Sequence, residues 1–218
     1  MSKGLFITFE GTEGCGKSTQ VELLARQLGA LGHRVRLLRE PGGTPIGEEI
    51  RHTLKHSQQN HAMTAEAELL LMNASRAQLV REIIRPALAA GEIVVCDRFY
   101  DSTTAYQGHG RELDLQKVKS IIDFAVGDTR PDLTLLLQVP PNVSAERLRS
   151  RQPTLPFARD RIEEADEKFF ARVAEGYKIL AATETNRIRV VESSGAIENV
   201  SGKIWEIVQP VLPKIGRW

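Results

Sequence analysis

The sequence has few cysteines, no long apolar run and no excess of either charge. Cys15 and Cys96 are the two cysteines, and neither belongs to a CxxC or Cys/His cluster with metal-ligand spacing. We therefore expect reduced thiols and neither a disulfide framework nor a structural zinc site. The apolar stretch near the N-terminus is too short for a signal peptide or a membrane span, which predicts a cytoplasmic protein without a membrane partner. Lysine plus arginine number 29 and aspartate plus glutamate 28, so the charge balance does not favour nucleic acid as a partner.

The 218 residues suit a single α/β domain with a sizeable core. Five short apolar runs rich in β-branched residues alternate with segments of helical pattern, and such runs are typical of strands buried on both faces. They are Leu5–Phe9, Val35–Leu38, Ile93–Cys96, Leu133–Val139 and Ile188–Val191. The alternation predicts a parallel sheet wrapped by helices on both faces, with ligands outside the carboxyl ends of the strands.

Three helical segments stand out, and they run from Lys17 to Leu31, from Thr64 to about Ala90, and from Arg161 to Ala182. Pro86 is expected to kink or end the second one. In the third, Phe169, Phe170, Val173 and Tyr177 recur at helical spacing, which predicts core packing. A proline-containing stretch flanked by arginines, within about residues 149–163, is predicted to form an ordered loop or a lid.

The run Gly11–Ser18 stands between the first strand and the first helix, which is the order of a phosphate-binding loop. Its glycines let backbone N–H groups surround an anion, and the helix dipole points to the same place. Residues Gly11–Thr19 are therefore predicted to bind the phosphates of ATP: Gly11, Thr12, Glu13, Gly14, Cys15, Gly16, Lys17, Ser18 and Thr19. Lys17 supplies a mobile positive charge for the terminal phosphates, and Ser18 supplies a hydroxyl ligand for Mg²⁺.

A second chemical signal lies where the third strand ends. Four apolar residues lead into Asp97, the arrangement that delivers a carboxylate to Mg²⁺ beside a phosphate loop. A switch GTPase would continue Asp-x-x-Gly and carry a guanine-reading motif, and neither occurs here. Arg98 follows Asp97, and its planar guanidinium suits phosphate oxygens, although a salt bridge to Asp97 is the alternative.

Three spaced motifs together resemble the thymidylate kinase family. They are Asp97–Gly108, Arg39–Thr44 after the second strand, and the phosphate loop. The resemblance spans essentially the whole chain, and it implies a P-loop NTPase-like fold with a five-stranded parallel sheet in a homodimer. It also implies transfer of the γ-phosphoryl group of ATP to dTMP with Mg²⁺. Another nucleoside monophosphate kinase and a non-catalytic nucleotide-binding regulator remain alternatives.

The resemblance also implies a set of residues for the acceptor nucleotide. These are Glu13, Glu40, Pro41, Arg51, Met72, Arg76, Arg98, Thr103, Tyr106 and Gln107. Arg76 matches the arginine that reads thymine, and Arg51 is placed similarly to one that meets the dTMP phosphate. The chain departs from the family where an aromatic ring usually stacks on thymine, because Met72 and Asn73 stand there. We expect looser base packing as a result.

Catalytic charge is expected from two sources. Lys17 and Arg98 are predicted beside the phosphates, but the phosphate loop itself carries no arginine. The segment Asp160–Glu163 resembles the family's lid motif, in the bacterial type that carries its catalytic arginine in the lid. Arg151, Arg159 and Arg161 are therefore the candidate lid arginines, whereas Arg149 is assigned to the preceding helix.

Overall fold

A computed structural model describes residues 4–57, 60–151, 162 and 165–213. In this part of the chain five strands form one sheet in the order β2-β3-β1-β4-β5, and every neighbouring pair is parallel. The strands are β1 (Leu5–Glu10), β2 (Val35–Arg39), β3 (Ile93–Asp97), β4 (Leu133–Gln138) and β5 (Ile188–Glu192). The predicted fold class is confirmed, and each predicted strand is present to within a residue at either end.

Burial follows position in the sheet. β1 is buried along its whole length, and β3 and β4 are buried except at their last residues. The edge strands β2 and β5 each have three exposed residues. The apolar core lies on both faces of the sheet, one part around Phe9 and Leu24 and another around Phe6 and Leu79. Central strands therefore read as continuous apolar runs because both of their faces are covered.

Helices cover both faces of the sheet. Their bounds are α1 (Lys17–Ala30), α2 (Pro45–Lys55), α3 (Ala65–Leu79), α4 (Arg85–Ala89), α5 (Tyr100–Thr103), α6 (Leu115–Val126), α7 (Pro141–Arg151), α8 (Glu167–Thr183) and α9 (Ile197–Val208). Helix α1 agrees with its prediction. Helix α8 begins at Glu167 because Asp166 caps it, its carboxylate accepting the Phe169 backbone N–H at 2.8 Å. None of the helices in the described part of the chain is long and apolar enough to cross a membrane.

Two widened helical turns interrupt the regular helices. The predicted helix from Thr64 to about Ala90 contains a π-helical segment, Val80–Ile84, between α3 and α4. Pro86 lies two residues after its end, so the wide turn lies where the proline lacks an N–H and crowds the preceding turn. A second π-helical segment, Thr104–Gly110, continues α5. Pro86 thus reshapes the helix rather than ending it.

The carboxyl ends of β1, β2 and β3 lie side by side. Phe9 and Arg39 both pair with Asp97 across the sheet. Beyond them, the Arg98 N–H donates to Phe9 O at 2.9 Å and the Glu40 N–H to Asp97 O at 3.0 Å. The phosphate loop, the start of the Arg39–Thr44 motif and the start of the Asp97–Gly108 motif therefore meet at one edge of the sheet.

Candidate active site

The phosphate loop depends on glycines with positive φ. Gly11, Gly14 and Gly16 have φ values of 136°, 71° and 94°. A Cβ on Gly11 would lie 2.3 Å from Leu137 O, so this position excludes every side chain. Lys17 folds over the loop and donates to Gly11 O at 3.0 Å and Thr12 O at 2.9 Å. Its ammonium group is thus held by uncharged carbonyl oxygens at the place where the motif predicts phosphates.

Neighbouring elements hold the loop from outside. Ser144, in α7, donates to Glu13 O at 2.7 Å, and Arg147 in the same helix donates to Gly14 O at 3.3 Å. Ser193, after β5, donates to Cys15 O at 2.7 Å. These bonds occupy carbonyl oxygens of the loop and therefore do not compete with an anion for its N–H groups.

Ser18 and Asp97 form the predicted metal-binding pair. The Ser18 hydroxyl donates to Asp97 Oδ2 at 2.9 Å. Ser18 is exposed and Asp97 is partly buried. Hydroxyl and carboxylate oxygens are the hard ligands that Mg²⁺ prefers, and Mg²⁺ takes its remaining ligands from water and phosphates. The residues present therefore fit a magnesium ion shared with a nucleotide.

A pocket of about 500 Å³ opens beside the phosphate loop. Nine of the ten residues predicted for the acceptor nucleotide line it: Glu13, Glu40, Pro41, Met72, Arg76, Arg98, Thr103, Tyr106 and Gln107. Arg51 is not in its lining, but Arg51 Nη1 donates to the carbonyl oxygen of Pro41 at 2.9 Å. Sequence reasoning missed four further lining residues, Lys55, Phe99, Ser102 and Ile162. Phe99 and Ser102 lie within the Asp97–Gly108 motif, which was the available signal.

Arg76 lies at the buried end of this pocket and is only 2% exposed. Its Nε and Nη2 lie 2.8 and 2.6 Å from Glu40 Oε2, and Nη2 also donates to Phe99 O at 3.3 Å. Nη1 donates to Asn73 Oδ1 at 3.0 Å and Thr103 Oγ1 at 2.9 Å. Each of the five N–H groups thus has a protein acceptor. A ligand could accept from Arg76 only through a hydrogen that also bonds to the protein, or by replacing the long bond to Phe99 O. The base-reading role of Arg76 stays a prediction.

Glu40 leaves one acceptor in this region without a partner. Its Oε1 is buried and accepts no hydrogen bond within the described residues. Burial raises the pKa of Glu40, and the neighbouring Arg76 opposes that rise. A donor on a bound molecule, or a water, would satisfy this oxygen.

Met72 and Asn73 point to different places. Met72 lines the pocket. Asn73 is buried and donates to Leu69 O at 2.8 Å while its carbonyl oxygen accepts from Arg76. Adjacent helical residues point about 100° apart, and of these two only Met72 is in the lining of this pocket. Met72 therefore faces the pocket, whereas Asn73 is turned toward Arg76. The role of Met72 beside the base stays a prediction.

Arg98 connects the pocket to the phosphate loop. Its Nη2 lies 2.8 Å from Glu13 Oε1, and its Nη1 donates to Gly11 O at 3.1 Å. The guanidinium also lies over the Tyr106 ring, 5.0 Å from its centroid. The carboxylate that pairs with Arg98 is therefore Glu13 and not Asp97. Burial alone would lower the pKa of Arg98, but Tyr106 and Glu13 raise it well above its ordinary value, so the guanidinium keeps its charge.

Glu10 and Tyr177 extend the hydrogen-bond network around Arg98. Glu10 accepts from the Phe99 N–H at 2.8 Å, the Ser102 hydroxyl at 2.6 Å and the Tyr177 hydroxyl at 3.0 Å. Tyr177 also lies 3.3 Å from Arg98 Nη1. The prediction treated Tyr177 as core packing alone, and that was incomplete. Its ring is buried in the core, but its hydroxyl belongs to the site, which helical periodicity does not reveal.

Comparison with known proteins identifies the family. A family model described as thymidylate kinase matches residues 9–204. The chain belongs to the thymidylate kinase family.

Individual relatives agree with the family model. A thymidylate kinase of Synechococcus sp. is 44% identical over 209 residues, covering 96% of each chain. One from Syntrophotalea carbinolica is 47% identical over 201 residues, covering 92% of this chain and 93% of the relative. The crystal structure of thymidylate kinase from Ehrlichia chaffeensis superposes with a TM-score of 0.77 at 33% identity, over 95% of this chain and 99% of that one.

A second pocket lies on the other side of the phosphate loop. It has a volume of about 450 Å³. Its lining combines Cys15, Gly16 and Thr19 of the loop region with Arg147 of α7 and Gly195 after β5. The phosphate loop therefore separates two pockets.

The predicted lid lies largely outside the described residues. Arg159, Arg161 and the side chain of Arg151 are among the residues that are not described. Arg149 lies within α7, as assigned from the sequence.

Proposed function

We propose that this chain transfers the γ-phosphoryl group of ATP to dTMP, giving dTDP, with the acceptor in the Arg76 pocket and the donor on the Arg147 side of the phosphate loop. The observation that carries the proposal is the meeting of nine predicted acceptor residues in one pocket that shares Glu13 with the phosphate loop. A phosphoryl group resting on that loop would lie between the two nucleotides, as an in-line displacement requires.

The acceptor pocket has a base end and a phosphate end. Met72, Arg76, Thr103 and Gln107 form the buried end, where polar groups and an apolar side chain suit a pyrimidine. Arg98 stands at the opposite end, toward the phosphate loop, where its guanidinium would meet the dTMP phosphate. Arg51 would join it by exchanging the Pro41 carbonyl for a phosphate oxygen.

On the donor side, the loop N–H groups and Lys17 would hold the β- and γ-phosphates. The purine of ATP would lie in the second pocket, which Arg147 of α7 and Gly195 after β5 line. Ser18 and Asp97 would hold Mg²⁺, which neutralises charge on the phosphate oxygens.

In the proposed reaction the side chains neutralise the negative charge of the phosphates and hold the two nucleotides in position. The acceptor phosphate oxygen is already ionised near neutral pH, so transfer needs no strong general base. Lys17 exchanges the carbonyls of Gly11 and Thr12 for phosphate oxygens, and Arg98 bridges the two nucleotides. Lid arginines supply the remaining charge and exclude water.

Alanine variants of Arg151, Arg159 and Arg161 test the proposed role of the lid arginines, and one of the variants should lose turnover by about a thousandfold or more. Normal turnover in all three would contradict it.

The deciding experiment is coupled ADP release with ATP and dTMP, dUMP, dGMP or AMP as acceptors. We expect dTMP-dependent release from the wild type and little from Lys17→Met, which retains an apolar stem without the charge. Faster release with dGMP or AMP than with dTMP would favour another nucleoside monophosphate kinase. Tight ATP binding without acceptor-dependent release would favour a regulator.

The protein would act as a homodimer in the cytoplasm. The dimer is supported by large apolar side chains exposed on the packed helices α3 and α6, Leu70 at 56% and Phe124 at 85%. The compartment is supported by the free thiols Cys15 and Cys96. Sedimentation showing a monomer at micromolar concentration would contradict the dimer.

A further inference from the structure

The side-chain amide of Gln107 has a fixed direction. Gln107 Nε2 donates to Glu68 Oε1 at 2.7 Å, and both residues are nearly fully buried, at 2% and 1% exposure. Gln107 belongs to the π-helical segment after α5, and Glu68 lies one helical turn before Met72 in α3. The bond therefore joins the two helical elements that face each other across the base end of the pocket.

Glu68 is itself held in place. Arg111 donates to it from Nε at 3.3 Å and from Nη2 at 3.1 Å. The Arg111 guanidinium in turn lies over the Phe169 ring, 4.6 Å from its centroid. A buried carboxylate gripped by a two-pronged guanidinium is a rigid acceptor, and a carboxylate offers no hydrogen that could pair with the Gln107 carbonyl.

This arrangement decides which end of the amide a ligand meets. Because the NH₂ group faces Glu68, the carbonyl oxygen is directed away from it, and Gln107 lines the acceptor pocket. No donor among the described residues occupies that oxygen. Thr103, four residues earlier, already accepts from Arg76 at 2.9 Å, so its own hydroxyl hydrogen remains available. The pocket thus offers an acceptor at Gln107 and a donor at Thr103.

These two groups match one pyrimidine edge better than another. Thymine and uracil carry an N–H donor at N3 beside an acceptor at O4, whereas cytosine carries an acceptor at N3 beside an amino donor. A fixed carbonyl at Gln107 accepts from the N3–H of thymine but opposes the N3 lone pair of cytosine. A freely rotating amide would adapt to either base, because its two ends offer opposite hydrogen-bonding groups.

We propose that Glu68 is a positioning residue that sets the selectivity for thymine over cytosine by holding the Gln107 amide with its carbonyl toward the base. This inference rests on the proposed function, since it places the acceptor base beside Gln107. Glu68 does not touch the nucleotide and acts only through Gln107.

The test compares three variants by their kcat/KM for dTMP and for dCMP. Glu68→Leu removes the acceptor, so the amide loses its fixed direction, and we expect the dTMP/dCMP ratio to fall by about tenfold. The change should appear in KM for dTMP, with kcat nearly unchanged, because Gln107 is at the base end and remote from the moving phosphoryl group. Glu68→Gln keeps one oxygen, shared between Arg111 and Gln107, so the ratio should fall by less. Arg111→Met is the matched control, since it removes the same ion pair and loosens Glu68 but leaves the acceptor for Gln107, and its ratio should fall clearly less than that of Glu68→Leu.

The outcomes separate the two proposals. Absence of dTMP-dependent turnover in the wild type overturns the proposed function. Normal turnover with an unchanged ratio in Glu68→Leu, or an equal fall in Arg111→Met, overturns the role of Glu68. If Glu68→Leu does not fold, the near-isosteric Glu68→Gln decides alone, and a ratio equal to that of the wild type overturns the inference.

Discussion

The buried carboxyl group of Glu10 makes stability depend on pH in an unusual direction. Burial, and next the negative charge of Asp101, raise the pKa of Glu10 from 4.5 to about 7, although Ser102, Arg98 and the Phe99 N–H oppose that rise. The folded protein therefore binds a proton that the unfolded chain has lost between about pH 4.5 and 7. The contribution of this group to folding stability consequently falls as pH rises through that window. A difference of about 2.5 pH units corresponds to about 3 kcal/mol.

Glu10→Gln tests this reasoning because it preserves shape and cannot ionise. Its amide oxygen can accept from the Phe99 N–H, and its NH₂ can donate to Ser102 or Tyr177, as a protonated Glu10 would. Urea unfolding at fixed protein concentration, without nucleotides, gives the free energy of unfolding from pH 4.5 to 8.5.

We expect the stability advantage of Glu10→Gln over the wild type to grow with pH, by up to about 3 kcal/mol, and to level off above the folded-state pKa. Glu22→Gln is the control, since Glu22 is exposed on α1. Its difference from the wild type should stay flat. A difference between Glu10→Gln and the wild type that is constant with pH would refute the argument.

Three further substitutions test other parts of the molecule. Asp101→Asn leaves Arg187, which lies 2.7 Å from Asp101, without its buried charge partner, and thermal or urea unfolding should show a loss of about 3–5 kcal/mol. Met72→Phe restores an aromatic side chain facing the base, and it should raise the ratio of kcat/KM for dTMP over dUMP; an unchanged ratio would show that Met72 does not loosen the site. Gly11→Ala places a Cβ against a strand carbonyl at a φ of 136°, so it should abolish ATP binding measured by calorimetry.

The fold and the phosphate site could be predicted because they depend on local patterns. A buried central strand such as β1 is apolar throughout, and the loop that follows it needs glycine where φ is positive and lysine at its end. Both features are therefore visible in the order of residue types. The meeting of distant motifs at one edge of the sheet followed from parallel pairing alone.

Other parts of the site depend on which way a side chain turns, and that is set by tertiary contacts. Met72 and Asn73 are adjacent, and only the packing of α3 decides that Met72 meets the pocket. In the sequence Glu68 is an ordinary helical glutamate, and only the fold shows that Gln107 of the π-helical segment donates to it. Tyr177 fits an apolar periodicity, although its hydroxyl makes polar contacts. Such roles arise between elements remote in sequence, so no local pattern encodes them.

The two cations beside the phosphate loop are held in different ways, and the difference bears on catalysis. Arg98 has a φ of 68°, a conformation costing about 1–3 kcal/mol outside glycine, which its contacts with Glu13, Gly11 and Tyr106 maintain. Its charge is therefore held in place by protein contacts, which would lower the cost of reorganisation during the proposed transfer. The ammonium group of Lys17 is bonded to the neutral carbonyl oxygens of Gly11 and Thr12, which a phosphate oxygen would displace at little cost. In the proposed reaction Arg98 would thus be preorganised and Lys17 would move with the nucleotide. Replacement of Arg98 by lysine would remove a fixed guanidinium fork that a mobile ammonium group does not reproduce.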